Sequence, residues 1–187
     1  AIVDRATDLW ANFVGGHPMA GNSESGISAF EKGLFAHRPY VLTPTDRTSP
    51  AALEKVAELV GTLNCIIDRA TPAEHDLAVA WISHLPMAIS ASLINACIHE
   101  QDPQILNLAK KFASTGFKDT SRVGAGNPEM GRMMAEYNRD ALLRSLYGYR
   151  DQLDVLINSI ETKQWAEIQD LLSQNQSARN NFLNPKD

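Results

Sequence analysis

The stretch Cys65-Ile66-Ile67-Asp68-Arg69-Ala70-Thr71-Pro72-Ala73-Glu74 decides the fold, because two kinds of structure meet in it. Cys65 to Asp68 is a short β-prone run and reads as a strand. Thr71-Pro72-Ala73-Glu74 has the form of a helix start: a hydroxyl to accept from the first free N–H groups, a proline at the first helical position, and a glutamate to reach back to the cap. Upstream, Ser49-Pro50 opens another helix, with Leu53, Val56, Ala57 and Val60 at helical spacing and Gly61 at its end. Phe13 to Gly15 and Tyr40 to Thr43 suit two further strands. Downstream the chain turns wholly helical. One long helix is predicted from Thr71 to about Glu100, kinked near Pro86, since proline removes a backbone donor and crowds the preceding turn. Asp102-Pro103 opens a helix to about Thr115, and Asn127-Pro128 opens a long one that bends at Gly148. Trp165 starts the last, and the polar tail from Gln174 is expected to fray. The expected fold is mainly α: an all-helical domain, residues 71–187, preceded by a small α/β part, residues 1–70.

Composition narrows the partners. With 187 residues, 44% of them hydrophobic, the chain can bury a core. A net charge of −5, with no basic run longer than Lys110-Lys111, argues against nucleic acid. Cys65 and Cys97 sit in apolar surroundings and read as small buried hydrophobes in a reducing compartment, the cytoplasm, and Ala1-Ile2-Val3-Asp4-Arg5 lacks the layout of a signal peptide. Leu77 to Ile98 carries no Asp, Glu, Lys or Arg over 22 residues, long enough to raise a membrane span. Ser83, His84, Ser90, Ser92 and Asn95 are spread through it and Pro86 interrupts it. A helix buried on all sides by protein, and no membrane, is therefore expected.

The best handle on chemistry is Val14-Gly15-Gly16-His17-Pro18-Met19-Ala20-Gly21. The glycines let the backbone turn or approach a ligand closely, Pro18 fixes the outgoing direction, and the imidazole is expected on a turn at a strand's carboxyl end, where ligands bind in open α/β sheets. Gly124-Ala125-Gly126-Asn127-Pro128 is not a phosphate loop, because no strand precedes it; a helix-ending glycine and a flexible link are the expected reading. Gly116-Phe117-Lys118-Asp119-Thr120-Ser121-Arg122, between two helices, is by composition either a solvated charged loop or a grip for a dicarboxylate. His75-Asp76, His99-Glu100 and His37-Arg38 read as surface pairs, and no spacing suits a metal, so none is expected.

Taken in order, Gly15 to Gly21, Tyr40-Val41-Leu42-Thr43-Pro44, Ile82-Ser83-His84-Leu85-Pro86 and Gly116 to Arg122 resemble the signatures of prephenate and arogenate dehydrogenases, in particular the arogenate-type enzymes of cyanobacteria. The resemblance implies oxidative decarboxylation of a cyclohexadienol dicarboxylate to an aromatic ring in tyrosine biosynthesis, with hydride passing to NADP or NAD. It makes residues 1–70 the end of a Rossmann-type nucleotide-binding domain and 71–187 a substrate-binding and dimerisation domain. The Gly-x-Gly-x-x-Gly turn of that domain is absent before His17, so the chain reads as the second half of an enzyme, inactive and without cofactor affinity by itself.

By the same resemblance His17 is the catalytic base toward the ring hydroxyl, with its family serine partner upstream of Ala1. Arg122 matches the substrate-carboxylate arginine. Ser83, Lys118, Asp119 and Asn22 match substrate-binding positions, some of them reached from a neighbouring subunit, and His84 is structural. Met87 stands where prephenate-using relatives often carry a second His, and Gly131 where many carry Trp. Arogenate is therefore the expected substrate, with prephenate the runner-up and a non-catalytic helical dimerisation fragment the reading from another class. The charge-free helix has more apolar surface than the remaining helices of one copy can cover, which predicts a homodimer with the long helices packed together and the Gly116 to Arg122 segment near the seam.

Overall fold

The computed structural model describes residues 2–21 and 26–183. The fold is mainly helical with a small three-stranded sheet, as expected. Strands β1 (Gly15–Pro18), β2 (Pro39–Thr43) and β3 (Ile66–Arg69) lie in that order. β1 runs antiparallel to β2, pairing His17 with Val41. β2 and β3 are parallel and joined through helix α2 (Pro50–Gly61), the kind of crossover that parallel neighbours require. Leu42, at the centre of the sheet, is fully buried.

The first strand begins two residues later than expected, and its glycines lie inside it instead of breaking it. A Cβ on Gly15 would stand 2.4 Å from Thr43 Oγ1 and 2.8 Å from Val3 Cγ2, and one on Gly16 would stand 2.8 Å from Tyr40 Cε1. The missing side chains thus let β1 lie close against β2 and against a helix that no sequence signal announced, α1 (Ile2–Leu9). Thr7 anchors α1: it is buried, donates to Val3 O at 2.8 Å and accepts from Thr45 Oγ1 at 3.2 Å.

The capping box at Thr71 forms. The Thr71 hydroxyl accepts from Glu74 N–H at 3.2 Å, the Glu74 carboxylate accepts from Thr71 N–H at 2.8 Å, and helix α3 (Pro72–Val79) follows. The kink expected near Pro86 takes the form of a π-helical turn at Ala80–His84, closed by Leu85 N–H onto Ala80 O, before α4 (Leu85–Ile98) resumes. Pro86 has no N–H to give and its ring crowds the carbonyl one turn back; widening the turn by a residue relieves both. The run Pro72–Ile98 is long and apolar enough to cross a membrane by length and composition alone. The expectation that this chain buries it on all sides fails, since only 22% of its apolar window is buried. Val79, Ala80, Leu85 and Ser90 are enclosed, while Trp81, Ile82 and Ile98 are exposed.

After α5 (Pro103–Phe112), capped by Asp102, the segment expected as a charged loop is itself helical: α6 (Thr115–Ser121). Gly124 is no flexible link. It sits in a tight turn, Val123–Ala125, pressed on α4 so that a Cβ would lie 2.2 Å from Ala91 N, and its N–H donates to Ser90 Oγ at 2.8 Å. The next helix breaks at Asn138, between α7 (Pro128–Tyr137) and α8 (Arg139–Glu161); Gly148 lies inside α8 without a break. The last helix, α9 (Trp165–Leu183), runs past Gln174 to Leu183, with Ser173 and Ser177 hydroxyls donating to the carbonyls of Gln169 and Ser173. The chain forms two compact units, residues 1–142 and 143–187.

Because Gly124 meets backbone, Gly124→Ala is expected to lower stability by about 1–3 kcal/mol through overpacking. Ser90→Ala is expected to cost a similar amount, about 1–3 kcal/mol, by leaving the Gly124 N–H without its partner. Urea denaturation reads both, and a Gly124→Ala midpoint equal to that of the parent would show that the two segments do not meet this closely.

Candidate active site

Three elements bring imidazoles together. β1 presents His17 as its third residue. The capped start of α3 holds His75 in its first turns, with His75 N–H bonded to Thr71 O at 3.0 Å. The π-helical turn supplies His84. His17 Nδ1 lies 2.9 Å from His75 Nε2, and the two rings meet edge to face at 64°. His75 Nδ1 is in turn 3.0 Å from Asp76 Oδ1. Asn138, at the break between α7 and α8, donates through Nδ2 to Asp76 O at 2.8 Å and faces His84 Nδ1 at 3.2 Å. That bond gives the helix break its cause: the amide leaves the helical path to satisfy two acceptors on other elements.

These groups line a cleft of about 690 Å³ whose other walls include Val3, Phe13, Val79, Met134 and Tyr137. Partial burial, and then the neighbouring His75, hold the His17 pKa below its ordinary value. Burial is also the main reason that the His84 pKa is lowered; Asp76 opposes that shift, while His17 and His75 add to it. A half-buried imidazole beside other imidazoles loses water and meets like charge, and both favour the neutral ring. Both effects favour the uncharged His17 ring, with Nδ1 engaged and Nε2 without a hydrogen bond among the described residues.

The cleft gathers some of the residues read from the sequence and not others. His17 lines it, within a strand and not on the turn expected. His84 lines it too, with its Nδ1 3.2 Å from Asn138 Nδ2. Ser83 is half-buried on the π-helical turn beside His84 and is not part of the lining. Lys118 and Asp119 are exposed on α6, Arg122 is exposed just beyond it, and none of the three lines this chain's cleft. Asn22 lies outside the described residues.

His75, Asp76 and Asn138 were missed. His75-Asp76 is not a surface pair, since the His75 side chain is only 17% exposed and joins His17. A histidine just inside a strongly capped helix start was the available signal. Among the described residues no three His, Cys, Asp or Glu side chains are gathered as a metal site.

Comparison with known proteins matches residues 71–174 to a family described as prephenate dehydrogenase, dimerization domain, and residues 1–68 to prephenate dehydrogenase, nucleotide-binding domain. Prephenate dehydrogenase of Bacillus subtilis is 34% identical over 163 residues, covering 86% of this chain and 43% of that protein. Cyclohexadienyl dehydrogenase of Zymomonas mobilis is 26% identical over 163 residues, 87% of this chain and 55% of that protein. The crystal structure of Synechocystis arogenate dehydrogenase superposes with a TM-score of 0.90 at 51% identity, over 97% of this chain and 65% of that one. Prephenate dehydrogenase from Aquifex aeolicus, in complex with hydroxyphenyl propionate and NAD+, also gives a TM-score of 0.90, at 27% identity over 97% of this chain and 63% of that one. The chain spans about half the length of the curated relatives it matches.

The two lowered histidines set a pH dependence of stability. Their folded-state pKa values lie below 6.5, so the unfolded chain takes up these protons first as pH falls. Their contribution is complete above about pH 6.5 and is lost as pH drops toward the folded-state values. The urea midpoint is expected to be lower at about pH 5.5 than at about pH 7.5, and His17→Asn to shrink the difference. A midpoint that rises on acidification would contradict the neutral assignment.

Proposed function

We propose that this chain, which belongs to the prephenate dehydrogenase family, carries the proton-accepting histidine, the substrate pocket and the dimer interface of an arogenate dehydrogenase. The reaction is oxidative decarboxylation of arogenate to tyrosine. The observation that carries it is His17: an imidazole whose pKa is lowered, held at Nδ1, with Nε2 unpaired among the described residues, on the wall of a cleft large enough for a small ring substrate. Such a ring can take the hydroxyl proton as the alcohol is oxidised.

The described residues do not cradle a dinucleotide's phosphates. Gly15 and Gly16 are closed by Val3, Thr43 and Tyr40, and no strand–glycine turn–helix is present among them. NADP or NAD, the cofactor proposed from the family match at residues 1–68, would take the hydride. This chain's own share is the proton and the substrate. Residues 1–70 are then the end of the nucleotide-binding domain and 71–187 the substrate and dimer domain, a division supported by the two family matches meeting between 68 and 71.

Arg122 suits the ring carboxylate, which a guanidinium grips through two parallel bonds, with Lys118, Asp119, Ser83 and Asn22 around the same substrate. Since α6 is exposed and apart from this chain's cleft, Lys118, Asp119 and Arg122 are proposed to serve the site of a second copy. A dimer is supported by uncovered apolar side chains at helical spacing, Ile105, Leu108 and Phe112 on α5, beside the largely uncovered run Pro72–Ile98. Arogenate over prephenate is supported at Met87. A Cβ on Gly131 would stand 3.5 Å from Met87 Sδ, so the two positions that depart from the family pattern face one another and offer no hydrogen bond to a pyruvyl group. The prephenate dehydrogenases among the relatives favour the second reading, prephenate itself.

In the full-length protein, His17→Asn is expected to lower kcat by roughly 10²–10⁴ with little change in folding, and unchanged turnover would remove His17 as base. Arg122→Ala is expected to weaken substrate binding by about 2–5 kcal/mol, with Lys a poor replacement because it lacks the planar fork. Arogenate is expected to exceed prephenate in kcat/KM, and Met87→His to narrow the gap. A parent enzyme that prefers prephenate would reverse the substrate assignment.

A further inference from the structure

We propose that His75 and Asp76 are positioning residues that set the tautomer of His17, so that its Nε2 always presents a lone pair to the cleft. The geometry is a relay across two elements: Asp76 Oδ1 lies 3.0 Å from His75 Nδ1, and His75 Nε2 lies 2.9 Å from His17 Nδ1. A carboxylate accepts, so His75 donates to it from Nδ1, and the proposal makes His75 Nε2 the acceptor toward His17. His17 must then donate from Nδ1. Its one remaining lone pair is on Nε2, the atom with no partner among the described residues. The proposal rests on the reading of His17 as the base.

The alternative tautomer of an isolated imidazole would put a proton on Nε2 and leave nothing to receive the substrate's. When the substrate O–H bond breaks, its proton would bond to His17 Nε2 while the hydroxyl electron pair closes the new C=O; a bound nicotinamide would supply the hydride acceptor, and loss of the ring carboxylate as CO2 would complete the aromatic ring. The resulting imidazolium keeps its Nδ1–H on His75 Nε2, and the Asp76 charge lies one ring further on. No proton reaches Asp76. The charged or titratable groups facing this pair are few: Arg5 from α1, His84 from the π-helical turn and Tyr137 from α7, all lining the same cleft. None of the three is hydrogen-bonded to His17 or His75, so none competes for the nitrogens in question. The capped first turns of α3 hold the backbone that carries His75, and the backbone carbonyl of Asp76 accepts from Asn138 Nδ2, so both relay side chains project from a main chain fixed on the cleft.

The test is long-range ¹H–¹⁵N correlation of the histidine rings in the ¹⁵N-histidine-labelled full-length protein, a readout independent of turnover. His17 and His75 are both expected as Nδ1–H tautomers. In Asp76→Asn the amide can donate to His75 Nδ1, which reverses the relay. His75 and His17 are then expected to shift toward Nε2–H, with kcat falling roughly 10- to 100-fold while KM stays near that of the parent. His75→Gln, whose amide oxygen can still accept from His17, is expected to keep the His17 tautomer and lose less turnover than Asp76→Asn. An Nε2–H tautomer for His17 in the parent, or an Asp76→Asn protein with the parent's spectrum and kcat, would overturn the proposal. His17→Asn measured alongside separates the two ideas. If it retains turnover the base reading falls and takes this one with it; if it loses turnover while Asp76→Asn changes nothing, only the relay falls.

Discussion

No side chain stands on Gly15 or Gly16, and the placement of His17 depends on that space. Val3 from α1 and Thr43 and Tyr40 from β2 occupy the positions that two Cβ atoms would take. With a methyl group at either glycine, β1 would have to move away from its neighbours, and His17, bound to the strand by its pairing with Val41, would move with it. The imidazole contact to His75 spans 58 residues of sequence and tolerates little displacement, because a hydrogen bond weakens steeply outside a narrow range of length and angle. A constraint that looks like sheet packing is therefore also a constraint on the histidine cluster.

The rest of the cleft is assembled by polar groups finding partners on other elements. Asn138 ends α7, bonds to Asp76 O and faces His84, so one amide both breaks a helix and joins it to α3 and the π-helical turn. Ser90 accepts the N–H of Gly124 in the same way and draws the Val123–Ala125 turn onto α4. Among the described residues no buried side-chain nitrogen or oxygen lacks a partner. This matters in a chain whose apolar core is small: an unmet buried donor costs about 1–3 kcal/mol, comparable to a well-buried aliphatic side chain.

What was legible in the sequence was what local chemistry decides. Proline at the first helical position after Ser49, Thr71, Asp102 and Asn127 marked four helix starts, because the proline has no N–H to lose there and three of those caps also offer a side-chain acceptor that bonds. The strands at Tyr40 and Ile66 were legible from their β-branched and aromatic residues, and the resemblance carried by the four motifs agrees with the family matches. What was not legible depends on partners distant in sequence. α1 is held by Thr45 and by the gap at Gly15, neither of which marks residues 2–9 themselves. His75-Asp76 looks like any polar pair on a helix until β1 is placed beside it. Gly148 carries the lower helix propensity, yet α8 passes through it and the break falls at Asn138, where the competing bonds are.

The π-helical turn at Ala80–His84 has a consequence for how this helix can change over evolutionary time. One residue more than an α turn holds is a phase shift of about 100° between the residues before it and those after it. The two halves of the run Pro72–Ile98 therefore point their faces by different clocks: α3 aims His75 at the strand, while α4 aims Ser90 at the Val123–Ala125 turn. Loss of one residue within the turn would leave a shorter, regular helix with no obvious defect, yet it would rotate α3 against α4, and the histidine cluster and the Gly124 contact could not both survive. Insertions and deletions, which loops absorb freely, are thus excluded here by geometry even though the turn is the least regular part of the helix.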